Sequence, residues 1–255
     1  MKKTINLLAI CVMICVLATF IFTSCHKNED GNIRGEIIKD AVEDVDGNKY
    51  DAVKIGGQVW MAENLRTTKY PDGTEIPLVG SGPSNGGHRF YPDGEASNVK
   101  QYGYLYDWLA AMHGSTGSND FPSGMQGICP DGWHMPSDTE WVYMVECVKS
   151  QIEVDETANT TVAKALASTK GWETSDHSGA PGCEPSENNY SGFSAMPAGR
   201  YEGSYVNFGS TAAFWCTNAR YGTHAINHYI SYNNDFQDRF LSDKLTGYSV
   251  RCVRN

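Results

Sequence analysis

The sequence predicts an α+β domain built mainly of antiparallel sheets, with two or three short helices and long loops. Three observations carry this. Strand-like segments with tight turn signals occupy both ends of the domain. Helical signals are confined to its middle. Gly, Pro, Ser, Asn and Asp crowd the stretches between them.

The chain opens Met1-Lys2-Lys3, runs apolar from Ile5 to Phe22, and reaches Thr23-Ser24-Cys25. A charged n-region, an apolar h-region and small residues make a secretory signal. Small residues followed by Cys resemble the lipobox of bacterial lipoproteins, in which the thiol is acylated and the Cys becomes the first residue. The apolar run is also at the lower limit for a membrane-spanning helix, but Cys25 stands where lipidation needs it. Lys27-Asn28-Glu29-Asp30 resembles the surface-export signal of Bacteroidota lipoproteins. The expected organisation is therefore a signal peptide over 1–24, a lipidated tether over 25–40 and one domain over 41–255. The expected location is the outer membrane, surface-exposed, with the membrane reached through lipid on Cys25.

The formal charge is −10, and losing Lys2 and Lys3 with the signal takes it to −12. That argues against nucleic acid, which needs a basic footprint, and against polybasic docking on anionic lipid. Of eight cysteines, Cys11 and Cys15 leave with the signal and Cys25 takes lipid, leaving Cys129, Cys147, Cys183, Cys216 and Cys252. Export makes disulfides the default, and an odd number leaves one thiol unpaired within the chain. There is no C-x-x-C and no zinc-ligand spacing, so neither a structural metal nor a cofactor is expected.

Ile37, Ile38, Val42 and Val45 lead into Asp46-Gly47-Asn48, a hairpin turn signal, and Tyr50, Val53, Ile55 and Gln58-Val59-Trp60 continue the β pattern. The Asp44-x-Asp46-Gly47-Asn48 run lacks the Gly and Glu positions of an EF-hand and reads as a turn. Residues 71–98 read as loop. Leu105, Trp108, Leu109 and Met112 make one stripe, which predicts a helix over 104–112. Ser137 and Glu140 form a capping box, followed by Trp141, Met144, Val145 and Val148 at helical spacing. A weaker helix covers 162–168, and 171–192 is polar and irregular. Beyond this, 193–196, 213–217, 225–232 and 248–253 read as strands.

Several ordered segments resemble the Fibrobacter succinogenes major paralogous domain family. They are Asp46-Gly47-Asn48-x-Tyr50, Ile55-Gly56-Gly57-Gln58-Val59-Trp60-Met61-Ala62-Glu63-Asn64-Leu65, Cys129-Pro130-x-Gly132-Trp133-His134-x-Pro136-Ser137-Asp138-x-Glu140-Trp141, Gly192-Phe193-Ser194-Ala195-x-Pro197-Ala198-Gly199, Phe214-Trp215 and Gly247-Tyr248-Ser249-Val250-Arg251-Cys252-Val253. The family looks like a relative of the C-type lectin and formylglycine-generating-enzyme fold. That resemblance implies a C-type-lectin-like domain whose N- and C-terminal strands pair, and it places Cys129 near Cys252 as a disulfide. The pairing of Cys147, Cys183 and Cys216 stays open.

Formylglycine-generating chemistry needs two redox cysteines a few residues apart near the C-terminus, whereas Cys216 lies 36 residues from Cys252. The enzyme reading is therefore disfavoured. His224 and His228 share a strand face about 13 Å apart, too far to hold one ion. Glu184-Pro185-Ser186 and Trp215-Cys216-Thr217-Asn218 are incomplete versions of the calcium-lectin triplets. Trp60, Trp108, Trp133, Trp141 and Trp215 read as core. The expected function is a lipid-anchored binding or adhesion module without catalysis, with a glycan or surface protein as ligand. The rival is a structural component of a surface or pilus-like assembly. The expected ligand side combines the loops of 171–192 and 200–235, with Asn188, Tyr205, Tyr221 and Tyr232 as candidate contacts chosen by composition.

Overall fold

The computed structural model describes residues 35–81, 86–154 and 160–255. The signal segment, Cys25 and the first part of the tether lie outside the described residues. The tether's last residues do not: the first strand already starts at Glu36.

Strands β1 (Glu36–Glu43), β2 (Lys49–Ile55) and β3 (Gln58–Met61) form the expected antiparallel ribbon. The first turn is organised by Asp44. Its Oδ1 accepts the backbone N–H of Asp46 and Asn48, and its Oδ2 accepts the Tyr50 hydroxyl at 2.5 Å. The last strand, β12 (Val253–Arg254), inserts between β3 and β6 (Trp133–His134), giving a five-stranded sheet in the order β1-β2-β3-β12-β6. The first and last strands of the domain thus share one sheet, with Val253 opposite Trp60.

Alternation sends successive side chains to opposite faces. Tyr50, Ala52, Val59 and Met61 enter one core with Trp108, Trp133 and Trp215; Val53, Ile55 and Trp60 enter a second with Trp141, Phe193 and Phe214. All five tryptophans read as core are buried. The Cys129–Cys252 disulfide closes the first core, its Cα atoms 5.9 Å apart. Cys183 and Cys216 are free thiols.

Among the described residues there are four helices: α1 (Val99–Tyr102), α2 (Trp108–Met112), α3 (Asp138–Val154) and α4 (Val162–Leu166). The capping box forms at α3. Glu140 N–H donates to Ser137 Oγ at 3.2 Å, and Ser137 N–H donates back to Glu140 Oε2 at 2.9 Å. The helix expected from residue 104 starts only at Trp108. Asp107 caps it by accepting the Ala110 N–H, while Leu105–Tyr106 pair as β5 with β4 (Arg89–Phe90).

Two expected strands are not strands. Around residues 193–196 the Phe193 and Ser194 carbonyls accept hydrogen bonds from the Arg251 guanidinium, and Ser194 lies at φ +57°, so no ladder continues there. Of 248–253, only Val253 enters β12; Tyr248 and Ser249 make single bridges to Tyr106 and Phe214. The hairpin β7 (Arg200–Tyr201)–β8 (Tyr205–Val206) precedes a second sheet in the order β11-β10-β9. In it β9 (Thr211–Arg220) and β10 (His224–Ser231) match the expectation. Strand β11 (Gln237–Asp243) was not expected, because Gln-Asp-Arg-Phe-Leu-Ser-Asp carries few β-branched residues.

Candidate functional site: the open face of the three-stranded sheet

The register across this sheet decides which side chains share a face. Ala213, Thr211 and Trp215 of β9 stand opposite Tyr229, Ser231 and Asn227 of β10, and Asn227 and Tyr229 stand opposite Phe240 and Asp238 of β11. The other set, Phe214, Cys216, His228 and Ile230, includes the residues packed toward α3. Trp215 and Ala225 are sealed into the first core at one end of the first face. Its remainder is open, forming a cleft of about 700 Å³ walled by the β7–β8 hairpin.

The cleft floor is a fixed hydrogen-bond relay. Asn227 Nδ2 donates to Ser242 Oγ at 2.8 Å and to the Phe240 carbonyl at 3.2 Å, and Ser242 Oγ is 2.9 Å from the Tyr248 hydroxyl. Burial pushes the Tyr248 phenol above its ordinary pKa, so it stays protonated. On the wall, Arg200 forks onto Glu202 through Nε at 2.8 Å and Nη2 at 3.1 Å. The Arg200 hydrogen bond holds the Glu202 carboxyl below the usual carboxylate range. Tyr229 and Phe240 supply ring surface, edge to face at 6.5 Å between centroids. The cleft thus offers two aromatic faces, a charged fork and a neutral amide–hydroxyl floor.

A model of the Fibrobacter succinogenes major domain matches residues 53–254, from the second strand of the large sheet through the open-faced sheet to the last strand. The chain belongs to the Fibrobacter succinogenes major domain family. Searches of curated proteins and of solved structures found no match. Within this Fibrobacter succinogenes major domain the family segments serve as framework. His134 and Glu140 are buried, 2.8 Å apart, and the Glu140 carboxylate also accepts the Ser123 and Ser137 N–H groups. Arg251 is wholly buried between Phe193 and Phe214.

Of the residues chosen from composition, Asn188 is corrected by the structure and the other three are placed apart from one another. Asn188 is buried, its Nδ2 donating to the Ser168 and Pro181 carbonyls, so it is a strut between loops and not a surface contact. Tyr232 is half-buried against the second core. Tyr205 is half-buried, edge-on to Tyr201 and packed over Gly94. Tyr221 is 85% exposed. The four do not converge: Tyr221 and Tyr232 flank opposite ends of β10, about 25 Å apart at strand rise. Of the two segments expected to form the ligand side, only 200–235 lines the cleft. Arg200, Asn227, Tyr229, Phe240, Ser242 and Tyr248 were missed. The signal was the alternation in β10, where Asn227, Tyr229 and Ser231 interleave with Ile226, His228 and Ile230.

Asp138 Oδ1 lies 3.0 Å from His228 Nε2, and His224 sits at the other end of β10. Among the described residues, no group of three or more His, Cys, Asp or Glu side chains could hold a metal ion. No described helix is long and apolar enough to cross a membrane.

Proposed function

We propose that this chain is a lipid-anchored, non-enzymatic binding module of C-type-lectin-like architecture, exposed at the outer membrane, with the cleft on β9–β11 as its ligand site and a glycan as its ligand. The observation that carries the reading is the composition of that cleft. A few fixed polar groups beside aromatic faces is the arrangement by which hydroxyl-rich, ring-shaped ligands are held, since rings stack on C–H faces and the amides and hydroxyls set orientation. The hydroxyls of Ser242 and Tyr248 bond each other and Asn227 rather than a base, which suits recognition more than nucleophilic chemistry. Cys252 is tied to Cys129 and so is not held as a free thiol of the formylglycine-generating kind. Anchoring rests on Cys25 and its lipobox-like setting.

A glycan array probed with the purified full chain, followed by titration of any hit against Tyr229→Ala and Arg200→Ala, tests the ligand reading. Loss of about tenfold or more in affinity with unchanged thermal stability supports it. A silent array, or a hit that neither variant weakens, rejects it. Metabolic palmitate labelling tests the anchor: label should appear in the wild type and vanish in Cys25→Ala. The assembly reading has one observation in its favour, the outer edge of β11, which has no strand partner among the described residues. Self-association in sedimentation that an edge proline in β11 abolishes would favour it.

A further inference from the structure

A second groove, of about 350 Å³, lies across β11 from the cleft; Phe240 and Leu241 border both. It carries Arg220 from the end of β9 and Arg239 from β11, with Asp138 at the start of α3 between them and the second core. The chain as a whole has 30 acidic and 20 basic residues, yet two guanidinium groups meet one carboxylate here. That carboxylate is already satisfied. Its Oδ1 takes the His228 Nε2 hydrogen bond, and its Oδ2 accepts Arg239 Nη1 at 2.6 Å. The Asp138 contact therefore fixes the Arg239 guanidinium while leaving its other N–H groups over. The Arg220 side chain has no hydrogen bond or ion pair among the described residues and is exposed. Two arginines facing one groove repel each other, and an anion between them removes that cost.

Two rings flank the arginines. Phe240 is 64% exposed and Tyr221 85%. Tyr221 follows Arg220 in the β9–β10 turn at φ +49°, a left-handed conformation that side-chain-bearing residues rarely adopt. Large rings held out in solvent beside one unpaired guanidinium, Arg220, and one tied to Asp138 by a single N–H, Arg239, fit a ligand that combines a carboxylate with a ring of C–H bonds. Arginine takes the carboxylate as a planar fork, and the rings take the apolar sugar face.

We propose that the Arg220–Arg239 groove is a subsite for a carboxylate-bearing sugar residue of a glycan that crosses Phe240 from the cleft. The proposal rests on the glycan reading of the cleft and specifies the ligand's charge. An acidic peptide would satisfy the arginines but has less use for two flanking rings.

The test is calorimetric titration of the purified full chain with trigalacturonate and with sialyllactose, each compared with its carboxyl-reduced form, and with an oligoglutamate peptide. Binding of either carboxylated sugar is expected, weakened about tenfold by carboxyl reduction and by Arg220→Ala, retained in part by Arg220→Lys, and falling with salt. The thermal midpoint of Arg220→Ala should match the wild type, because the side chain holds nothing else. Equal binding of the reduced sugars, indifference to Arg220→Ala, preference for oligoglutamate, or no binding of either sugar overturns the proposal. Tyr229→Ala separates the two readings. A neutral glycan that loses affinity with Tyr229→Ala but not with Arg220→Ala keeps the cleft and sinks the groove.

Discussion

Arg251 ties together segments that lie far apart in the chain. Its Nε donates to Asn64 Oδ1 at 2.8 Å, Nη1 to the Met61 and Phe193 carbonyls, and Nη2 to the Ser194 carbonyl at 2.7 Å, so one guanidinium ties β3, the 193–194 loop and the C-terminal segment together. Burial pushes its pKa down to about 9, because the guanidinium has lost its water shell. Arg251→Met should lower stability by about 3 kcal/mol or more, because several buried acceptors lose their donor at once; the urea midpoint measures it. Two buried histidines set opposite pH limits. At His134 burial opposes the charge, but the Glu140 carboxylate outweighs it and raises the pKa above the ordinary 6.5. Its contribution is therefore full below pH 6.5 and lost as pH rises through the raised value. At His228 burial dominates and lowers the pKa, so the neutral ring, stacked on Trp141 at 5.0 Å, contributes above pH 6.5 and is lost as pH falls through the lowered value. Urea midpoints followed across pH should decline on both sides. His134→Gln should flatten the alkaline limb and leave the acid one, and His228→Gln the reverse.

At the scale of elements, α3 is the best-specified unit, and its start does double duty. Ser137→Ala should cost about 1 kcal/mol, the usual value of a lost cap. Glu140→Ala should cost several times that, because the same carboxylate also holds His134, the Ser123 N–H and the Gln58 amide at 3.3 Å. Comparing the two denaturation midpoints checks whether the motif is only a cap. The local pattern misread the segment before α2. Its apolar stripe continues back to Leu105, but Asp107 bonds the N–H groups of Gly87, His88 and Ala110, and a side chain so used ends the helix where it stands. β11 was invisible for a different reason: an edge strand with one solvated side needs no run of β-branched residues.

For the whole molecule, the disulfide joins residues 123 apart and staples the turn before β6 to the segment before β12. Closing a loop of ~100 residues is worth about 4.7 kcal/mol in the chain-entropy account. Cys252→Ser should therefore lower stability by about 2–5 kcal/mol, read as a drop in thermal midpoint of the oxidised protein. The staple lies beside the sheet that the first and last described strands share, so its loss should loosen the sheet that separates both cores.

What the sequence by itself determined is the framework: the antiparallel α+β class, the first ribbon and its Asp-Gly turn, the capped helix, β9 and β10, the five core tryptophans and, through the family segments, the Cys129–Cys252 bridge. These are set by local chemistry, namely alternation, capping and turn residues, that neighbours in the chain supply. The candidate site was only partly legible. Tyr229 and Asn227 could be read from the alternation in β10, but which face closes over α3 and which stays open depends on Trp141 and Phe214 from distant segments. Asn188 looked like a surface amide and became a strut because two loops fold over it. Arg220 and Arg239, 19 residues apart in the chain, become neighbours across one groove only when β10 pairs with both strands that carry them. A site assembled by pairing register and by what covers each face is decided by tertiary structure, because neither is encoded in the residues that line it.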